Sequence, residues 1–298
     1  MKGRKGRRGR KCCIFFPLSS FLPFLLYSPK TATMVIQLEA NLEKLHATAP
    51  LVHNITNFVV MNFTANALLA VGASPVMAHA VEEVEDMVAI AGALVINIGT
   101  LSTHWVEGMK LAMRKAAELG KPIILDPVGA GATPYRNNVL TELLETAPPT
   151  IIRGNGSEIL ALAGANVRTK GVDSTTDSVD SIGAAQALSA RFGSVVSVSG
   201  AVDVIVHGAR TGWVSNGVPL MTKVTGMGCS ASAIAGAFAA ICNDPFDAAV
   251  SAAATMGVCG ELAYRNAKLP GSFQIAFLDT LAAISPAHLA ELSKIRIE

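Results

Sequence analysis

The sequence predicts an α/β fold with a mostly parallel central sheet covered by helices on both faces. Three observations carry that expectation. Between residues 50 and 200, short apolar runs alternate with longer helix-type segments, the order produced by parallel strands joined through crossover helices. Hydrophobic residues make up 51% of the 298 and charged residues only 15%, enough apolar side chain for strands buried on both faces. Thr225-Gly-Met-Gly-Cys-Ser-Ala-Ser232 then runs into an uncharged, proline-free stretch over 233–242, which reads as a loop feeding the N-terminus of a buried helix.

Residues 36–47 form an amphipathic helix with Leu38, Leu42 and Leu45 on one face. A short strand within 50–57 ends in His53, Asn54, Thr56 and Asn57, and Thr56 or Asn57 is placed to start the next helix over 58–71. Those polar residues fit turn chemistry or a pocket lining equally well. Residues 73–79 make an apolar connection or short strand. Met77 there reads first as core filler, with ligand contact as the lesser alternative, and His79 is ambiguous. A helix over 82–91 opens with acidic residues, as the helix dipole favours. A buried strand spans 93–99. The helix over 104–119 stops at Gly120, a good C-cap. The next strand, 122–126, ends at Asp126; a helix covers 136–146; a strand, 150–153, ends at Arg153 and leads through Gly154-Asn-Gly-Ser-Glu158 into a helix to Leu162. Residues 164–180 are polar and rich in Ser, Thr and Gly, the composition of an exposed loop. A helix over 181–192 and a strand over 195–200 follow. Two β-type runs around 208–210 form an antiparallel hairpin. Helices cover 233–242, 245–267 and 270–284, and 286–294 closes the chain.

The net charge of +2 hides an asymmetry. Residues 1–33 hold eight Lys and Arg and no acid; the remainder has 16 basic against 22 acidic residues, a net −6 with no nucleic-acid signature. The basic run is followed by an apolar stretch broken by Pro17 and Pro23. A secretory signal, a membrane anchor, and sequence upstream of a start at Met34 or an unstructured extension all compete for it; the last is favoured, because the stretch is short for a span and its cleavage site is only passable. The expected organisation is therefore an extension over 1–33 and one domain over 34–298, without a membrane segment in that domain. Cys229, Cys242 and Cys259 have neither disulfide-framework nor metal-type spacing, which fits a reducing, cytoplasmic setting.

In such sheets ligands collect beyond the carboxyl ends of the strands. Asn57, Thr100, Asp126, Arg153, Asn155, Glu158, Ser199 and the turn at 225–229 fall there. Singly, Asp126 and Glu158 read as helix caps neutralised by Arg153. Together, two carboxylates on neighbouring strand ends suit Mg²⁺ held through waters and substrate phosphates, and Arg153 offers a planar cation to a phosphate. The backbone N–H groups over Gly226, Met227, Gly228 and Cys229, at a helix tip, form an anion hole. No Lys-Ser/Thr follows the glycines, which excludes a Walker A loop, and no Gly-x-Gly-x-x-Gly follows the first strand.

The motifs Pro50-Leu-Val-His-Asn-Ile-Thr-Asn57, Gly72-Ala-Ser-Pro-Val-Met77, Asn97-Ile-Gly-Thr-Leu101, Leu125-Asp-Pro-Val-Gly-Ala-Gly131, Ile152-Arg-Gly-Asn-Gly-Ser-Glu158 and Val224-Thr-Gly-Met-Gly-Cys229 resemble those of hydroxyethylthiazole kinases, in the ribokinase-like superfamily, from about residue 42 to the C-terminus. The resemblance implies ATP-dependent phosphorylation of the hydroxyl of 4-methyl-5-(2-hydroxyethyl)thiazole, a salvage step toward thiamine, by a homotrimer with active sites between subunits. It implies that Met77 and Gly226 contact the thiazole alcohol with Asn57 in the same pocket, that Arg153 and Ser199 contact ATP, and that Asp126 and Glu158 serve Mg²⁺ and the phosphates. Many relatives carry Thr at the position of Ser199, so the hydroxyl is kept. Cys229 stands where sugar-kinase relatives carry an Asp base. It is the nearest acceptor for the alcohol's proton, yet a helix tip lowers a thiol pKa while a phosphate raises it, so base and positioning roles both stay open. Another small alcohol as substrate, an ATP-dependent dehydratase and a membrane-anchored binding protein are the competing readings.

Overall fold

Apolar β-branched runs become strands and the segments between them become helices. The structure is a computed structural model that describes residues 36–164, 178 and 181–298. The expected extension over 1–33, and nearly all of the expected polar loop over 164–180, lie outside the described residues. Val35–Glu298 is one compact unit.

The strands are β1 (Leu51–Ile55), β2 (Ser74–Val76), β3 (Ala93–Asn97), β4 (Ile123–Asp126), β5 (Ile151–Asn155), β6 (Val195–Ser199), β7 (Asp203–His207), β8 (Arg210–Val214) and β9 (Ile295–Ile297). They form one sheet in the order β2-β1-β3-β4-β5-β6-β7-β8-β9. Pairing is parallel from β2 to β6 and antiparallel from β6 to β9. Parallel pairing brings the carboxyl ends of β1, β3, β4, β5 and β6 to one edge, with Asn97 level with Asp126 and Asn155 level with Ser199.

Alternate strand residues feed opposite faces, as the pleat requires. Val52, Val95, Ile124, Ile151, Val195 and Ile205 point to one core, shared with α1 (Leu38–Thr48), α2 (Met61–Ala70), α8 (Met227–Ala239), α9 (Pro245–Asn266), α10 (Pro270–Ala283) and α11 (Pro286–Leu292). On the opposite face, Leu94, Ile96, Ile123 and Leu125 pack with α3 (Val84–Ile90), α4 (Thr103–Glu118) and α5 (Pro134–Thr146). Beyond them Ile152, Val196 and Val198 pack with α6 (Gly156–Leu162) and α7 (Ile182–Phe192). The outcome is the helix-covered, mostly parallel sheet that the alternating pattern predicts. Among the described residues no single helix is long and apolar enough to cross a membrane; α10 with α11 passes only as a pair bent by 112°.

Local departures from expectation have identifiable causes. Helix α2 starts at Met61, not Phe58, and its N-cap position, Val60, makes no side-chain cap. Asn57 does not start the helix; its Oδ1 accepts from Val59 N (3.2 Å) and closes a turn before it. Helix α8 begins at Met227, six residues ahead of the expected stretch, because Gly226 at φ +92° supplies the left-handed residue that lets the helix begin at once. A 3-10 helix over Pro219–Lys223 and the three-residue β9 were not expected. Strand β9 carries no apolar run of its own and exists by pairing with the β8 edge.

Helix α8 lies close on the sheet because its facing residues are small. A Cβ on Gly236 would come within 2.7 Å of Val95 Cγ2 and 3.2 Å of Val52 Cγ1. Gly236→Val should therefore lower stability by about 1–3 kcal/mol through overpacking, despite removing a helix glycine. Urea denaturation of the two proteins measures the difference, and an unchanged midpoint would contradict the packing account.

Candidate functional site at the sheet's carboxyl edge

The site is built from strand ends and one helix tip. Strand β1 delivers Asn57, which is 4% exposed; β3 ends at Asn97, 1% exposed; β4 ends at Asp126, 4% exposed. Asn57 Nδ2 donates to Asn97 Oδ1 at 2.9 Å, and Asn97 Nδ2 donates to Asp126 Oδ2 at 2.8 Å. Ser232 Oγ, from the second turn of α8, donates to the same Asp126 oxygen at 2.8 Å. Asn57 Nδ2 also faces Cys229 Sγ at 3.5 Å. The polar chain thus leaves α8 at Cys229, crosses three adjacent strands and returns to α8 at Ser232. Close backbone approach makes room for it: a Cβ on Gly99 would lie 2.6 Å from Asn57 Nδ2.

Strand β5 carries Arg153, whose Nη1 donates to Gly228 O at 3.1 Å and so ties the strand to the first turn of α8. Glu158 sits at the third position of α6 in a capping box with Asn155. Its Oε1 accepts from Gly129 N (2.8 Å) and its Oε2 from Asn155 N (2.9 Å), linking the loops after β4 and β5. The capping role read for Glu158 from sequence is thus real and coexists with a place at the site. Ser199 ends β6 and its Oγ donates to Gly154 O at 3.4 Å. Met227 N–H turns back to Val224 O at 3.5 Å, whereas Gly228 and Cys229 occupy first-turn positions whose N–H groups meet no carbonyl within the helix. Gly226 packs against α2, where a Cβ would come within 2.9 Å of Phe63 Cδ1. Met77, half-buried, follows β2 at the same edge.

Charge is unbalanced here. Burial, then the Glu158 carboxylate, push Asp126 from 3.8 up to about 7, against the Arg153 guanidinium and the hydrogen bonds from Ser232 and Asn97. Burial also raises Glu158, opposed by the N–H groups of Gly129 and Asn155 and by Arg153 and Arg136. Burial, then Asp126, push the Cys229 thiol up to about 12. Cys229 is therefore a thiol at neutral pH, the opposite of the lowering a helix tip alone would give. Two buried carboxylates sharing one nearby guanidinium fit a divalent cation, whose charge would offset their desolvation. Among the described residues no three His, Cys, Asp or Glu side chains converge to cage a metal, so Mg²⁺ would use Asp126 and Glu158 with waters and phosphates.

Three participants were not singled out from the sequence. Ser232 lies three residues after Cys229, hence on the same helix face, and that spacing was the available signal. Asn97 ends a buried strand, where a polar residue needs a partner. Arg136, half-buried, donates to Val128 O and Gly99 O at 2.8 Å each and holds two site loops together; no local pattern marks it.

The model of the hydroxyethylthiazole kinase family matches residues 42–287. The chain belongs to that family. A hydroxyethylthiazole kinase of Leptospira biflexa is 56% identical over 241 residues, covering 81% of this chain and 90% of its own. The solved structure of a hydroxyethylthiazole kinase protein from Pyrococcus horikoshii OT3 is 44% identical with a TM-score of 0.80, covering 88% of this chain and 98% of its own. A ribokinase-like superfamily protein from Enterococcus faecalis, 14% identical with a TM-score of 0.59 and covering 83% of this chain and 89% of its own, shares the fold. This hydroxyethylthiazole kinase family member is thus ribokinase-like in architecture.

The raised Asp126 pKa has a definite sign for stability. The folded state holds this proton more tightly than the unfolded state, so the associated stability is full below the unfolded value of 3.8 and is lost as pH rises through about 7. Without added metal, the wild-type chain should lose stability from pH 4 to 7, and Asp126→Asn should flatten that slope. Chemical denaturation midpoints across this range, in chelator, provide the check; an equal slope in the variant would contradict it.

Proposed function

We propose that this chain transfers the terminal phosphoryl group of ATP to the hydroxyl of 4-methyl-5-(2-hydroxyethyl)thiazole, a salvage step toward thiamine. The carrying observation is that the family match spans the residues that converge at the sheet edge. Residues 34–298 are read as the kinase domain. Met77, Gly226 and Asn57 line the alcohol's pocket, and Arg153 and Ser199 hold ATP. Asp126 and Glu158 would hold Mg²⁺, which when bound would offset negative charge on the phosphates. The first-turn N–H groups of Gly228 and Cys229 stabilise the charge on the phosphoryl group in flight, whereas Met227 N–H is taken by Val224 O. The bond from the γ-phosphorus to its bridging oxygen breaks as the bond to the alcohol oxygen forms.

Cys229 positions the alcohol and keeps its own proton, consistent with a thiol pushed up to about 12 and with a sulfur that faces the Asn57 amide. In a loose transition state the alcohol oxygen gains charge late, so its proton passes to an oxygen of the phosphoryl group it has joined. Subunits assemble as a homotrimer with sites between them. Large apolar side chains left open in one chain support this: Phe58 and Val59 beside Asn57, and Leu69, Leu269 and Ile275 around α2 and α10. The free thiols of Cys229, Cys242 and Cys259 fit a cytoplasmic protein.

A coupled ADP-release assay with the thiazole alcohol tests the reading, and no ADP above the alcohol-free rate would refute it. Cys229→Ser should retain at least about a tenth of the wild-type kcat; a loss of about 10²–10⁴, the size of a general-base contribution, would restore the base role. Asp126→Ala with Glu158→Ala should remove nearly all turnover.

A further inference from the structure

Between the alcohol's pocket and the metal-holding carboxylate lies one side chain with no assigned task. Asn97 is 1% exposed. Its Oδ1 accepts from Asn57 Nδ2 and from Gly99 N, both at 2.9 Å, and its Nδ2 donates to Asp126 Oδ2 at 2.8 Å. Strand register sets it level with Asp126.

We infer that Asn97 is a two-ended positioning residue that fixes the Asn57–Cys229 side of the alcohol pocket with its carbonyl and the Asp126 carboxylate with its amide nitrogen. The inference rests on the kinase reading above. A primary amide presents an acceptor and a donor on one rigid plane while carrying no charge. A carboxylate in its place would set an oxygen against Asp126, and a Gln would overreach the gap set by β3 and β4.

The Oδ1 end has a further consequence. By accepting from Asn57 Nδ2, it forces the Asn57 amide to turn its oxygen to Val59 N, at 3.2 Å. Asn57 then presents Nδ2, and not Oδ1, to Cys229 Sγ at 3.5 Å. The sulfur is approached as an acceptor by the Asn57 amide, and the Asn97 side chain bonds to it as well. At the other end, Asp126 Oδ2 receives Asn97 and Ser232 together, so its carboxyl plane is fixed from a strand and from α8 at once. The same amide thus sets the alcohol and the carboxylate in one frame.

The two ends can be separated by mutation. Asn97→Asp keeps the acceptor for Asn57 and Gly99 but opposes Asp126; Asn97→Ala removes both ends. Calorimetric titration with the thiazole alcohol, without ATP or metal, reads the first end; kcat in the ADP-release assay reads the second. Asn97→Asp should bind the alcohol within about threefold of wild type while kcat falls about 100-fold, the scale of a buried charged hydrogen bond lost. Asn97→Ala should weaken alcohol binding about tenfold and also lower kcat about 100-fold. Should Asn97→Ala fail to fold, Asn97→Ser, which cannot span both partners, carries the same expectation.

Equal changes in alcohol affinity for the Asp and Ala variants would overturn the two-ended assignment, because a merely structural Asn would affect both readouts in step with melting temperature. Alcohol binding by Asn97→Ala within threefold of wild type would overturn it too. A wild-type chain that binds no alcohol and releases no ADP with it would instead defeat the kinase reading, and the inference with it.

Discussion

Polar side chains at the ends of buried strands must satisfy one another, because α8 seals them from water. Asn57, Asn97 and Asp126 are each almost wholly buried, and an unpaired amide or carboxylate there would cost several kcal/mol. Their hydrogen bonds run in one line across β1, β3 and β4 and close onto α8 through Cys229 and Ser232. These two α8 residues are one helical turn apart, so both face the sheet. The same bonds that satisfy the strand ends therefore fix where the helix tip stands.

That arrangement leaves charge separated across a short space. Asp126 and Glu158 crowd negative charge on the strand side, and burial, then that crowding, push Asp126 to about 7. The N-terminus of α8 and the Arg153 guanidinium, bonded to Gly228 O, offer positive potential on the other. On the kinase reading proposed above, a polyphosphate with a divalent cation would neutralise both sides together. Burial that is costly in the empty protein becomes useful, since fixed dipoles act strongly where water is excluded. The high Cys229 pKa comes first from burial and then from the same Asp126 carboxylate, which disfavours a neighbouring thiolate.

The scaffold makes this possible through small residues. Helix α8 approaches the centre of the sheet at Gly236, between Val95 and Val52, so its first turn reaches the strand ends. The fold itself leaves the chemistry open, as its sharing with a protein only 14% identical illustrates. Beside the polar residues mounted at that edge, the Phe58 ring lies 4.6 Å from that of Trp105.

Strand and helix order, the parallel core of the sheet and the list of polar strand ends other than Asn97 are legible in the sequence, because hydrophobic periodicity and glycine placement are local properties. The resemblance in motifs points to a kinase family that the match over residues 42–287 supports. Other features were not legible. Strand β9 has too few residues to announce itself and is made by its neighbour. Arg136 acts through backbone carbonyls that only tertiary contact brings within reach. The direction of the Cys229 shift depends on how deeply burial and Asp126 outweigh the helix tip, which no spacing reveals. The sequence alone determined that Asn57, Asp126, Arg153 and Ser199 reach the sheet edge, since each lies near or just after the end of its own strand. Which of them bond, which stay charged and which thiol keeps its proton was decided by the tertiary structure, because desolvation and the distances between strands arise only when the layers close.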